Sequence, residues 1–169
     1  MNILSKRSTL AIAAVVDVAL FARNMPVGVK SLAARHHLPP RHLEGVLQGL
    51  VHAGILKGMR GPRGGYALAR EPGKITAGEI VRTVFALSVA APRGIGSGSE
   101  LMTKVVEPSM RKAVDRFLGS LDEVTVERLC AVADAEGIVE NAAASDLRQA
   151  PPFGGLRADD SATPGAMGA

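Results

Sequence analysis

The chain has one cysteine, Cys130, in 169 residues, with no tryptophan, one tyrosine and four phenylalanines. A single thiol excludes an intramolecular disulfide, and a metal cluster generally needs several thiolate or imidazole ligands. So few aromatics leave the core to alanine, valine and leucine, which suit closely packed helices. No apolar run reaches the roughly 20 residues of a membrane span. Leu10–Ala22 follows a basic start and superficially mimics a signal peptide, but Asp17 interrupts it and no clear small-residue cleavage site follows. A cytoplasmic protein that does not engage membranes is the simplest reading. Acids are scarce at the front. Residues 1–70 hold ten Lys/Arg against Asp17 and Glu44, a net +8, and residues 71–169 carry −4. This asymmetry suggests a polyanion-binding head on a neutral-to-acidic body; the alternative is chance clustering on a solvated surface. No hydrolase or nucleotide motif appears. Gly61-Pro62-Arg63-Gly64-Gly65 is not a phosphate loop, because no Lys-Ser/Thr follows. The chain is therefore not read as an enzyme.

What is present centres on residues 26–69. A short helix is predicted over Val29–Arg35, then a turn at His37 and Leu38. Pro40 fits the first turn of a third helix, where its missing N–H costs nothing. Leu43, Val46, Leu47, Leu50 and Val51 then recur at helical spacing, and Gly54 is the residue type that ends a helix in a left-handed conformation. Two short apolar runs, Ile55–Met59 and Tyr66–Ala69, flank Arg60-Gly61-Pro62-Arg63-Gly64-Gly65, the composition of a hairpin tip. Helix, turn, helix and hairpin make a winged helix-turn-helix, so the expected partner is double-stranded DNA.

The residues expected at that partner follow from base and phosphate chemistry. The start of the third helix, with Pro40, Arg41, His42 and Glu44, should enter the major groove. Arginine donates to guanine O6 and N7, and glutamate accepts from cytosine N4. A surface ion pair is the alternative for Glu44. Arg60 and Arg63 of the wing suit a narrow minor groove. Gly61, Gly64 and Gly65 are expected to take positive φ and let the backbone approach DNA. Lys6 and Arg7, at the start of the first helix, could reach a phosphate or simply confer solubility. Ser8 or Thr9 is the expected cap of that helix, with Leu10, Ala14, Val18 and Phe21 on one face. Tyr66 reads as a core residue with a hydrogen-bonded hydroxyl rather than a base-stacking platform.

The segment Leu43-Glu44 through Ala53-Gly54-Ile55-Leu56, followed by Arg60-Gly61-Pro62-Arg63-Gly64-Gly65-Tyr66-Ala67-Leu68, resembles the Rrf-two (IscR/NsrR) family of bacterial transcriptional regulators. The likeness covers roughly residues 1–135. It implies a base-reading role for Glu44, a polar recognition position at Arg41 and a wing contact at Arg60. Arg63 stands where the family usually has glycine. Many members bind an iron–sulfur cluster through three cysteines in the loop before a long helix. Here that loop, Val89–Glu100, has no cysteine or histidine, so no cofactor is expected. The four histidines, His36, His37, His42 and His52, all lie in the head and do not suggest a metal site.

Beyond the wing, Thr76 and Glu79 read as a capping box for a fourth helix. Residues 88–99 read as a loop. Leu101, Val105, Met110, Val114, Phe117 and Leu121 form a long amphipathic stripe, in which Pro108 either kinks one helix or starts another. The resemblance makes Leu101, Val105, Met110, Val114 and Phe117 a homodimer seam; packing on their own domain is the alternative. A last short helix spans Thr125–Ala133, with Cys130 more naturally buried and structural than a redox switch. The expected fold is mainly α with a small β-hairpin: a winged helix-turn-helix domain at 1–87, the loop at 88–99, dimerisation helices at 100–135 and a flexible tail at 138–169. The function read from it is a palindrome-binding homodimeric regulator acting as a repressor without an iron–sulfur cluster. An unknown small-molecule effector, a redox input at Cys130, and a protein-docking module remain as alternatives.

Overall fold

The computed structural model describes residues 4–22, 25–62, 64–88 and 99–139. It is mainly helical with one two-stranded antiparallel hairpin, a winged helix-turn-helix followed by a long helix. Arg63, the body of the 88–99 loop, and the tail from 140 onward lie outside the described residues.

Helix α1, Lys6–Phe21, starts one turn earlier than Ser8 or Thr9 would set it. Ser5 is the cap, its Oγ accepting from the Ser8 N–H at 3.0 Å. Ser8 is instead buried, its hydroxyl 2.8 Å from that of Ser5. Ala11, Ala14, Val15 and Val18 form the buried face, with Leu10 and Phe21 at its margin. These small side chains let α1 serve as the central strut, packed against helices Ala77–Ser88 and Val126–Ala135 as well as against the helix-turn-helix.

Helices α2, Val29–Arg35, and α3, Arg41–His52, fall where periodicity placed them. The turn between them uses His37 at φ +52°, and the His37 and Leu38 N–H groups return to the Ala34 and Ala33 carbonyls. Those bonds satisfy carbonyls that the end of α2 would otherwise orphan. Helix α3 fully buries Leu43, Leu47 and Leu50, with Val46 beside them. Each such side chain contributes about 1.5–3 kcal/mol relative to exposure. Gly54 closes α3 at φ +68°.

Strands β1, Leu56–Met59, and β2, Gly65–Leu68, pair in the register Leu56 to Leu68 and Met59 to Gly65. Val27 adds a bridge on the outer side of β2, exchanging both backbone bonds with Tyr66. Tyr66 is half-buried against the core. A 3-10 turn, Pro72–Lys74, leads into α4, Ala77–Ser88. Thr76 caps α4 by accepting from the Glu79 N–H at 3.1 Å. The Glu79 carboxylate does not complete the box but takes Arg70 Nη2 at 2.6 Å. Arg70 also donates from Nε to the Gly54 carbonyl at 3.1 Å, tying the end of α3 to α4.

The long helix opens with a π-helical stretch, Met102–Val106, and continues as α5, Glu107–Asp122. Pro108 neither breaks the chain's helical backbone nor begins a separate helix. Proline lacks an N–H and crowds the carbonyl four residues back, so the preceding turn widens. Asp122 anchors α5 to the head, taking Arg82 through two bonds of 2.7 and 2.6 Å and the Thr76 hydroxyl at 3.1 Å. The Arg82 guanidinium holds the Asp122 carboxyl below its ordinary value, against a smaller opposing effect of burial. Helix α6, Val126–Ala135, is capped by Thr125, and Val126 is fully buried in the core shared with α1.

Candidate nucleic-acid interface

The exposed side of α3 carries Arg41, His42, Glu44, Gly45 and Gln48, opposite the buried leucines. A strictly alternating pair of faces follows from its apolar spacing, and the polar face is the one free to meet a ligand. Glu44 is exposed and forms no salt bridge or side-chain hydrogen bond among the described residues. Pro40 stands exposed at the cap of α3, with its backbone already helical. Lys6 and Arg7 are exposed at the start of α1. Arg7 is brought to α3: its Nη2 lies 3.8 Å from the point where a Cβ at Gly45 would stand.

Arg60 and Gly61 sit exposed at the hairpin tip, and Gly61 takes φ +116° as expected. Gly65 does not take positive φ. At both Gly64 and Gly65 there is a steric requirement for glycine. A Cβ at Gly64 would strike the Met59 carbonyl oxygen, and one at Gly65 would strike the Val27 backbone. Glycine there permits the tight closure of the tip and the close pass of Val27 along β2. Arg63, the remaining wing cation, lies outside the described residues.

The head is held in shape by a pair that sequence reasoning passed over. Asp17, buried in α1, receives Arg35 through Nε at 2.9 Å and through Nη2. The Arg35 guanidinium also lies 4.3 Å from the centre of the Phe21 ring. His36 Nε2 lies 3.3 Å from the same carboxylate oxygen that takes Arg35 Nε. Burial alone would push the Asp17 carboxyl up, but contact with His36 and Arg35 outweighs it and holds the group below its ordinary value. The signal was present: a lone acid inside an apolar helix must find a partner.

Along the long helix, Leu101 and Val105 before α5 and Met110 and Val114 on it are exposed, and Phe117 is half-buried. Met102 and Val106 extend the same apolar exposure. Leu118 is the one α5 residue buried in its own chain. Cys130 is half-buried on α6 and packs against the core.

Among the described residues no helix is long and apolar enough to cross a membrane, and no group of three or more His, Cys, Asp or Glu is placed to hold a metal ion. Residues 4–132 match the family model Rrf2, described as an iron-dependent transcriptional regulator. The chain is 30% identical over 131 residues to the HTH-type transcriptional regulator IscR of Cronobacter sakazakii, covering 75% of this chain and 78% of that protein. It is similar in structure to IscR of T. potens, with TM-score 0.57 and 31% identity over 77% of this chain and 87% of the other. CymR, the global cysteine regulator of B. subtilis, gives TM-score 0.57 and 29% identity over 78% and 98%. These relatives are regulators, not enzymes. Among the described residues no donor set matches the iron in the family description. One half-buried cysteine cannot supply a thiolate-held cluster, and residues 89–100 contain no cysteine or histidine. With its winged helix-turn-helix and a match over most of its length, the chain belongs to the Rrf2 family of DNA-binding transcriptional regulators.

Proposed function

We propose that the protein is a cytoplasmic repressor that binds a palindromic operator as a homodimer and works without an iron–sulfur cluster. The observation that carries the dimer is the long helix: Leu101, Val105, Met110 and Val114 face solvent on an element that buries only Leu118 within its own chain. A second copy of the same stripe would cover it, and a two-fold axis there would present two identical heads to two half-sites. A bound dimer occupying a promoter would exclude polymerase, which is the basis for reading it as a repressor. Within each head, Lys6, Arg41, His42 and Glu44 meet the groove and its flanking phosphates, and Arg60, Gly61 and Arg63 meet the neighbouring minor groove.

The test is binding to duplexes selected from a randomised pool, with sedimentation of the free protein. Two-fold-symmetric selected sites, a dimer in solution and affinity falling steeply with salt are expected. A monomer that selects no symmetric site would overturn the reading. Reconstitution with iron and sulfide under anaerobic conditions should leave the protein colourless. A visible charge-transfer band with stoichiometric iron would refute the cluster-free assignment.

A further inference from the structure

We infer that Arg7, carried on α1, supplies the base-reading side chain that position 45 of the recognition helix lacks. The inference rests on the reading that the exposed face of α3 enters the major groove. That face runs Arg41, Glu44, Gly45, Gln48, so Gly45 sits in its middle. A glycine inside a helix costs about 1 kcal/mol relative to alanine. Several other glycines have local reasons. Gly54 and Gly61 take positive φ; Gly49 lies where a Cβ would overlap Leu87; Gly64 and Gly65 lie against backbone. Gly45 has none of these, like Gly58 and Gly119, but it alone of the three stands on the exposed face of α3. Its φ is not positive, and the single neighbour a Cβ would meet is Arg7 Nη2 at 3.8 Å, an ordinary contact.

The missing side chain leaves a slot on the reading face, and the guanidinium of Arg7 stands at it. Arg7 is exposed and makes no hydrogen bond or ion pair among the described residues. Its planar fork of donors is therefore available, and that fork matches guanine O6 and N7. It stands beside position 45, next in sequence to Glu44, which can accept only from a base donor such as cytosine N4. The reading surface is then composite: one acid from α3 and one cation from α1, specifying adjacent positions. A long side chain at position 45 would push the guanidinium away.

The experiment selects duplexes from a randomised pool with the wild-type protein. It then measures binding to every single-base substitution of the selected site for Arg7→Ala, Arg7→Lys, Gly45→Ala, Gly45→Leu and Glu44→Ala, with circular dichroism on each. Arg7→Ala should lower discrimination at one base pair of each half-site by roughly tenfold to a hundredfold. Gly45→Ala should keep the base preference. Gly45→Leu should lose discrimination at the same pair as Arg7→Ala, and the variant combining Arg7→Ala with Gly45→Leu should lose no more. If Arg7→Ala weakens all duplexes evenly, with unchanged ranking and full recovery by Arg7→Lys, Arg7 contacts a phosphate only and the inference fails. Unchanged binding by Arg7→Ala, or an intact preference in folded Gly45→Leu, also overturns it. If Glu44→Ala shifts no base preference either, α3 is not the groove element, and the underlying reading fails with it.

Discussion

Helices α3 and α5 are both amphipathic, yet each leaves a different kind of surface exposed. Helix α3 buries Leu43, Val46, Leu47 and Leu50 and presents Arg41, Glu44 and Gln48. Helix α5 buries Leu118 and, with the π-helical stretch before it, presents Leu101, Val105, Met110 and Val114. Charged groups without protein partners remain favourably hydrated until a base or phosphate replaces the water. Apolar groups on an exposed helix gain by being covered at all times. The first surface therefore suits a reversible polyanion contact, and the second a lasting contact with another copy.

The comparison breaks most sharply at Val114. Val114→Glu should leave a folded head but give monomers, because the charge is desolvated on both copies at once. Operator affinity should fall roughly a hundredfold to ten-thousandfold as the half-sites lose their shared effective concentration. Sedimentation and circular dichroism check this; a dimer with normal binding removes α5 from the interface.

The next effect lies under the reading head. Asp17→Ala strands Arg35 in a mostly buried position and should cost about 3–5 kcal/mol of folding stability, read by urea titration. A loss below 1 kcal/mol would show that the pair does not hold α2 against α1. Smaller again is the effect on the exposed face of α3. Glu44→Ala should keep the fold and dimer and lower discrimination between operator and mismatched operators by about 1–3 kcal/mol, while Arg60→Ala should weaken binding without changing the α3 base preference. An unchanged operator-to-mismatch ratio for Glu44→Ala would remove its reading role.

The smallest is a pH effect. The folded pKa of Asp17 is depressed, so its stabilisation is complete above the unfolded value, about 4, and is lost as pH falls through the lower folded value. The stability difference between wild type and Asp17→Asn, followed from about pH 5 downward, should shrink below about pH 4. A difference that grows as pH falls from about 5 to about 3 would reverse the assigned sign.

Much of this molecule could be read from spacing alone. Leu43, Val46, Leu47 and Leu50 mark α3 because burial on one side of a helix imposes that period, and Gly54 marks its end because few other residues tolerate the left-handed turn. The hairpin was legible for the same local reasons, as was the apolar stripe from Leu101 to Val114. The helix cap at Ser5 was missed because several neighbouring hydroxyls could serve, and only packing selects which one faces the N–H groups.

What the chain alone could not disclose depends on residues distant in sequence meeting. Asp17 looked like a break in an apolar run until α2 brought Arg35 and His36 to it. Gly64 and Gly65 looked like conformational hinges, but the backbones of Met59 and Val27 are what exclude a side chain. Local periodicity sets which side of each helix is apolar, because that side must leave water. Only the tertiary arrangement decides which polar group stands beside which, since Arg7 reaches Gly45 through the crossing of two helices that no local pattern encodes.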